Sequence, residues 1–165
     1  MAQTASITAQ RLTEFLTAAD NGLGPVLANL TVAAGIELPT IPPENVIHQN
    51  VPVGLMEKSS AVKYPVVHVY CDRAQNLLIE KFRTFSGKVR TVAEVRMSQD
   101  RIEGLEEKVR LYVDAVTQVL DSNRGSWGQG MFFTGGYEVK FDPVQHGGRN
   151  FLQLARVTFE VDLSS

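Results

Sequence analysis

Apolar and polar positions change their spacing along the chain, and the changes mark out its elements. Polar and apolar residues alternate from Tyr137 to Phe141, and after the segment Asp142–Asn150 the alternation resumes from Phe151 to Leu163. Val157, Phe159, Val161 and Leu163 fall on one face, and Arg156, Thr158, Glu160 and Asp162 on the other. A period of two is the pattern of a half-buried antiparallel strand. The 13 residues Phe151–Leu163 would span about 43 Å at ~3.3 Å each. Strands usually run to only about 5–6 residues. So long a strand in a small domain is expected to project past its own core or to lie against a neighbouring subunit.

Two further strands are predicted upstream. Pro65–Cys71 is dense in β-branched residues, as in a buried strand. In Val89–Met97, Val89, Thr91, Ala93, Val95 and Met97 share one face, and Arg90, Glu94 and Arg96 the other. The connection Asp72–Lys88 carries Leu77, Leu78, Ile79, Phe82 and Phe85 without regular spacing. It is expected to tuck in as a loop or to hold a short strand.

The spacing predicts a long helix over Asp100–Ser122. Ile102, Leu105, Val109, Tyr112, Val113, Val116, Val119 and Leu120 recur at three- and four-residue steps and form one apolar stripe. Asp100 and Glu103 have the spacing of a capping box, and Asn123-Arg124-Gly125 ends the helix. Near the start, Ser6 or Thr8 can cap a helix containing Ile7, Leu12, Phe15 and Leu16 that ends near Asp20-Asn21-Gly22. A second helix, Val26–Ala34, stops at Gly35. Residues 36–63 hold Pro39, Pro42, Pro43 and Pro52 with weak periodicity. They are expected to form an extended excursion with brief edge pairing around Asn45–Val51. After the long helix, Met131–Thr134 reads as a strand and Gly135-Gly136 as a bend before the terminal hairpin. The expected fold is a single α+β domain over 1–165, with a mostly antiparallel sheet, the long helix on one face, a helical part at 1–35 and sheet plus helix from 64 onward.

Composition narrows the functional classes. A chain of 165 residues with 44% hydrophobic and 21% charged content is ordinary for one globular domain. A net charge of −2 gives no general attraction for nucleic acid or anionic lipid. Charge is nevertheless uneven. Residues 61–97 carry seven Lys and Arg against three acids, and residues 98–123 carry six acids against three bases. Such segments are able to pair within one fold or between copies. Cys71 is the one cysteine, so no internal disulfide forms, which suits a reducing compartment. Met1–Ser6 shows no basic region followed by an apolar stretch, so no secretion signal is expected. No apolar run approaches membrane-spanning length.

No catalytic constellation emerges. His48, His68 and His146 lack metal-ligand spacing, and no cofactor or metal is expected. His68 and Cys71 lie three apart on a strand and so face opposite sides, which disfavours a nucleophile–base dyad. The segment from Gly125 to Gly130 follows a helix and lacks the lysine of a phosphate loop. Trp127 lies between glycine-bearing turns and is a candidate interface anchor. The segment Asp142–Asn150, with Gly147-Gly148, is expected to be a mobile hairpin tip.

The element order, the acidic helix Asp100–Ser122 and the closing hairpin Tyr137–Phe141 and Phe151–Leu163 together resemble the tail terminator (tail completion) proteins of long-tailed bacteriophages. The resemblance implies a non-enzymatic subunit of a homohexameric ring, monomeric in some cases before assembly. Such a ring caps the tail tube, stops its polymerisation and meets the head–tail connector, and DNA passes through without specific binding. The implied location is the virion tail or neck, after assembly in the host cytoplasm and without membrane association. The alternatives are a neck or head-closure protein, a small hydrolase using His68 or His146, and a nucleic-acid-binding module using residues 61–97. Under the assembly reading, the expected interface comprises Arg83, Lys88, Arg90, Arg96, Glu103, Glu106, Glu107, Trp127, Asp142, His146, Gly147, Gly148, Arg149, Arg156 and Glu160. The four bases at its head are expected to pair with acids of a neighbouring subunit or partner.

Overall fold

The computed structural model describes residues 2–59 and 63–165. In chain order the elements are helices α1 (Ala2–Thr17) and α2 (Leu23–Ala34), strand β1 (Val46–Ile47), helix α3 (Val53–Ser59), strands β2 (Val66–Asn76) and β3 (Ser86–Gln99), helix α4 (Leu105–Ser122), and strands β4 (Gly125–Gly128), β5 (Met131–Phe133), β6 (Tyr137–Phe141), β7 (Gln145–Gly147) and β8 (Asn150–Ser164). The fold is α+β, as the sequence pattern predicts. Among the described residues one eight-stranded sheet carries the strands, and only the β1–β2 pair is parallel.

The terminal strand does not project. β8 runs through the middle of the sheet. Along one edge it pairs with β3 from Ser86↔Ser164 to Gln99↔Phe151. Along the other, three short strands follow one another: β7 at Asn150–Leu152, β6 at Ala155–Phe159 and β5 at Leu163 and Asp162. The strand is long because it must match β3 on one side and three partners in series on the other. Both edges are therefore consumed within the chain, and β8 is not an assembly edge.

One face of the sheet carries the core. Alternate residues Ala155, Val157, Phe159, Val161 and Leu163 of β8, with Val89, Ala93, Val95 and Met97 of β3, are buried there. Over them lies the α4 stripe from Leu105 to Leu120. α1 lies on β2 and β3, and α2 lies against α4. The elbow between α1 and α2 requires glycine at position 22, because a Cβ there would sit 2.4 Å from the Ala18 carbonyl oxygen.

Several boundaries differ from expectation: α2 starts at Leu23, β2 runs on to Asn76 and β3 spans Ser86–Gln99, and three further differences bear on the fold. α1 begins at Ala2, so Ser6 and Thr8 lie inside it, and the Thr8 hydroxyl is buried 2.8 Å from that of Thr91. α4 begins at Leu105. Gly104 before it is left-handed at φ 77°, which no residue inside an α-helix adopts, so the Asp100–Glu103 capping box does not form. Gln99 holds that turn instead, donating to the Arg101 and Glu103 carbonyls. Ile102 is consequently exposed and does not belong to the stripe. Finally, Asp142–Asn150 is not a nine-residue loop. β7 pairs back onto β8 around the tight turn Gly148-Arg149, with Gly148 at φ 69°.

The proline-bearing excursion wraps the sheet. Leu38 and Ile41 enter the core, and the Pro39 carbonyl accepts the buried Tyr112 hydroxyl at 2.6 Å. The chain then makes the parallel β1 pairing Val46↔Val67 and Ile47↔His68, within the range expected for edge pairing. It continues over the opposite face as a strap, ending in α3. That short helix was not legible in sequence.

Candidate functional site

The second face of the sheet is charged, and its two halves differ. In the half beneath the strap, β-sheet register places His68, Glu94 and Arg156 side by side across three strands. The Glu94 carboxylate receives Arg96 at 3.0 Å and Arg156 at 3.1 Å. Arg156 also reaches Asp142 at 2.8 Å. Glu94 and Arg96 are each only 3% exposed. Arg96 further donates to the Val51 carbonyl, and the His68 Nδ1–H donates to the Gln49 carbonyl at 3.0 Å. A carbonyl only accepts, so the bond fixes the tautomer and leaves Nε2 without a proton. The cluster thus ties the strap down.

Burial, and then the Arg96 guanidinium, push the His68 pKa below its ordinary 6.5, outweighing the Gln49 bond and Glu94. The unfolded chain therefore binds the proton more readily than the folded one. Stability is complete above about pH 6.5 and falls as pH drops toward the lowered folded value. Urea midpoints should fall between pH 7.5 and 5.5 in the natural chain, and the part of that fall due to this site should be absent in His68→Asn.

In the open half, Arg90 forms a two-pronged bridge to Asp72 at 2.8 and 2.9 Å, and Lys88 approaches Glu160 at 3.4 Å. Arg83 pairs with Glu80 at 3.4 Å. Of the four bases expected to seek acids elsewhere, all are paired within the chain, and Arg96 is inaccessible as well. Cross-strand neighbours supply the acids for Lys88 and Arg90, whereas Arg83–Glu80 forms within the hairpin connection and Arg96–Glu94 within β3. Trp127 also departs from expectation. It is 4% exposed, in contact with Phe15, Phe133 and Phe159, and its indole N–H donates to the Asn123 carbonyl at 2.6 Å. Of the other expected residues, Glu106 pairs with Arg110, Glu107 and Arg149 are exposed, and the His146 ring lies on Phe151.

Cys71 lies among the described residues. Burial raises the Cys71 thiol pKa, the opposite of an activated nucleophile. No group of three His, Cys, Asp or Glu side chains there is placed to hold a metal. No helix there is long and apolar enough to cross a membrane.

The most unusual surface is the β2–β3 hairpin tip, for which the sequence pattern predicts a tucked loop or a short strand. Phe85 alone is buried, whereas Leu78, Ile79 and Phe82 are 66%, 70% and 104% exposed. The tip is also well braced. The Asn76 carboxamide oxygen accepts the Leu78 and Ser86 N–H groups, and its nitrogen donates to the Thr84 carbonyl. The Ser86 hydroxyl accepts the Glu80 N–H at 3.0 Å, and the Ser164 hydroxyl donates to the Glu80 carboxylate at 2.7 Å. Thr84 and Phe85 both donate to the Ser165 carbonyl. Leu78 and Phe82 have φ of 48° and 64°. Left-handed backbone costs a non-glycine residue about 1–2 kcal/mol. Such a conformation persists where the surroundings over-determine it, and it concentrates at functional sites. The sequence signal was available: an apolar run between two strands, with no period that would bury it.

Compared with known proteins, the chain matches no protein-family model and no curated sequence.

Proposed function

We propose that this protein is a non-enzymatic virion assembly subunit, a tail terminator that closes into a ring on the end of a tail tube and meets the head–tail connector. The observation that carries the reading is the braced apolar hairpin tip. Leu78, Ile79 and Phe82 are held in water by a network of hydrogen bonds, an arrangement that serves contact with another protein. The resemblance in element order and in the closing hairpin supplies the kind of assembly. A neck or head-closure subunit would use the same surface on the other side of the joint.

The test is polymerisation of the tail tube protein of the same phage with and without this chain, read by electron microscopy. Tubes should end in a ring-shaped density and stop growing when the chain is added. Unchanged growth with bare ends contradicts the proposal.

The internal pairing of Arg83, Lys88, Arg90 and Arg96 supports passage of DNA without adhesion, since affinity for duplex rests on uncompensated bases meeting phosphates. No tight binding of duplex DNA is expected at physiological salt. Tight binding that is lost when Lys88 and Arg90 are changed to Ala would favour the nucleic-acid reading.

A further inference from the structure

Besides the knob at the hairpin tip, the chain carries a hole. The elbow between α1 and α2 and the segment leading into β1 enclose a depression of 160 Å³ lined by Leu16, Ala18, Gly24, Pro25, Ile41 and Val46. Leu16, Ile41 and Val46 are buried and form its apolar floor. An apolar cavity of about 150 Å³ is enough to take up a benzene ring. The hole therefore has the size and polarity to receive the ring of Phe82, which is wholly exposed in the single chain.

Charge on the two surfaces is complementary. From Leu12 to Met56 the chain carries Glu14, Asp20, Glu37 and Glu44 and no lysine or arginine. Asp20 and Glu44 are exposed and directly follow the lining residues Ala19 and Pro43. The tip carries Lys81 and Arg83 beside Phe82. Glu80 pairs with Arg83, and Lys81 makes no ion pair among the described residues. A basic knob thus faces an acidic rim.

Position prevents the two from meeting in one molecule. β2 runs from Val67, which pairs with Val46 at the hole, to Asn76 at the base of the tip. That stretch of strand is about 30 Å long at ~3.3 Å per residue. Knob and hole are different surfaces at opposite ends of one edge of the sheet. A contact between different patches of identical chains is heterologous and generates a ring when the rotation closes.

We infer that the hairpin tip of one copy, led by Phe82 with Lys81 and Arg83, docks into the acid-rimmed depression at the α1–α2 elbow of the next copy. The inference rests on the assembly reading and names the partner surface within it.

The test is sedimentation equilibrium of the full chain up to high concentration, with two variants. Phe82→Asp removes the knob at a position that contributes nothing to the core. Gly24→Trp fills the hole. A Cβ at Gly24 meets nothing within 4 Å, so the backbone accepts it. Both variants should melt like the natural chain. The natural chain should self-associate beyond a dimer, and each variant alone should associate about a hundredfold more weakly. Mixed, the two should form a one-to-one dimer and nothing larger, because Phe82→Asp keeps its hole and Gly24→Trp keeps its knob. A Lys81→Glu, Arg83→Glu chain should lose association and regain it with an Asp20→Lys, Glu44→Lys partner.

Variants that assemble like the natural chain, or a mixture that stays monomeric, overturn this contact. A natural chain that is monomeric at every concentration overturns it as well. None of these outcomes bears on tube capping, which the polymerisation experiment reads separately.

Discussion

Replacing Glu94 with Ala should cost about 3–5 kcal/mol of folding stability, the usual consequence of removing one partner from a buried ion pair. Among the described residues Glu94 is the carboxylate that Arg96 touches, and both side chains are almost wholly out of water. Without it, the Arg96 guanidinium keeps its burial and loses its counter-charge. Its remaining bond, to the Val51 carbonyl, is to a dipole and not to a charge. At roughly 2–4 °C per kcal/mol for a chain of this size, melting should fall by about 10 °C. Arg156→Ala should cost clearly less, because Arg156 is partly exposed and its loss leaves the Glu94–Arg96 pair intact. A change below about 1 kcal/mol for Glu94→Ala would show that the cluster is solvated and does not hold the strap.

Trp127→Ala should be comparably severe, at about 3–5 kcal/mol, typical of a large aromatic deleted from a packed core. The indole stands 5.1, 5.5 and 5.8 Å from the rings of Phe15, Phe133 and Phe159. It joins α1, β5 and β8, so its removal opens a cavity between helix and sheet. Trp127→Phe should recover most of the loss and forfeit the hydrogen bond to the Asn123 carbonyl, worth about 1 kcal/mol. Chemical denaturation of the three proteins decides between a core residue and an interface anchor. An anchor would leave stability untouched and weaken assembly alone.

What the sequence made legible was what periodicity controls. The α4 stripe, the alternation in β3 and β8 and the Gly35 stop of α2 follow from which side chains must leave water. The position of β8 was not legible, because alternation reports one buried face and says nothing of what lies along the edges. A strand that projects and a strand flanked by three short partners in series read alike. Burial of Glu94 and Arg96 was hidden for a related reason. Their alternation marks them as outward-facing, and only the strap from residues 49–52 takes that face out of water. Trp127 was misread because flanking glycines suggest mobility, whereas here they let a tight turn fold the indole back onto the core. The hairpin tip was misread in the opposite sense. Apolar residues are expected to be buried, and the bonds of Asn76 and Ser86 that hold them outward come from polar side chains that carry no signal of their own.

The central claim is a closed ring built head to tail from one chain. It is tested most directly by native mass measurement of the particle formed on the end of a tail tube and released from it. The account predicts a single species at a fixed multiple of the 18.2 kDa chain, six by the resemblance, that no longer forms when Phe82 is Asp. A strict monomer, or an open-ended ladder of masses, would contradict it.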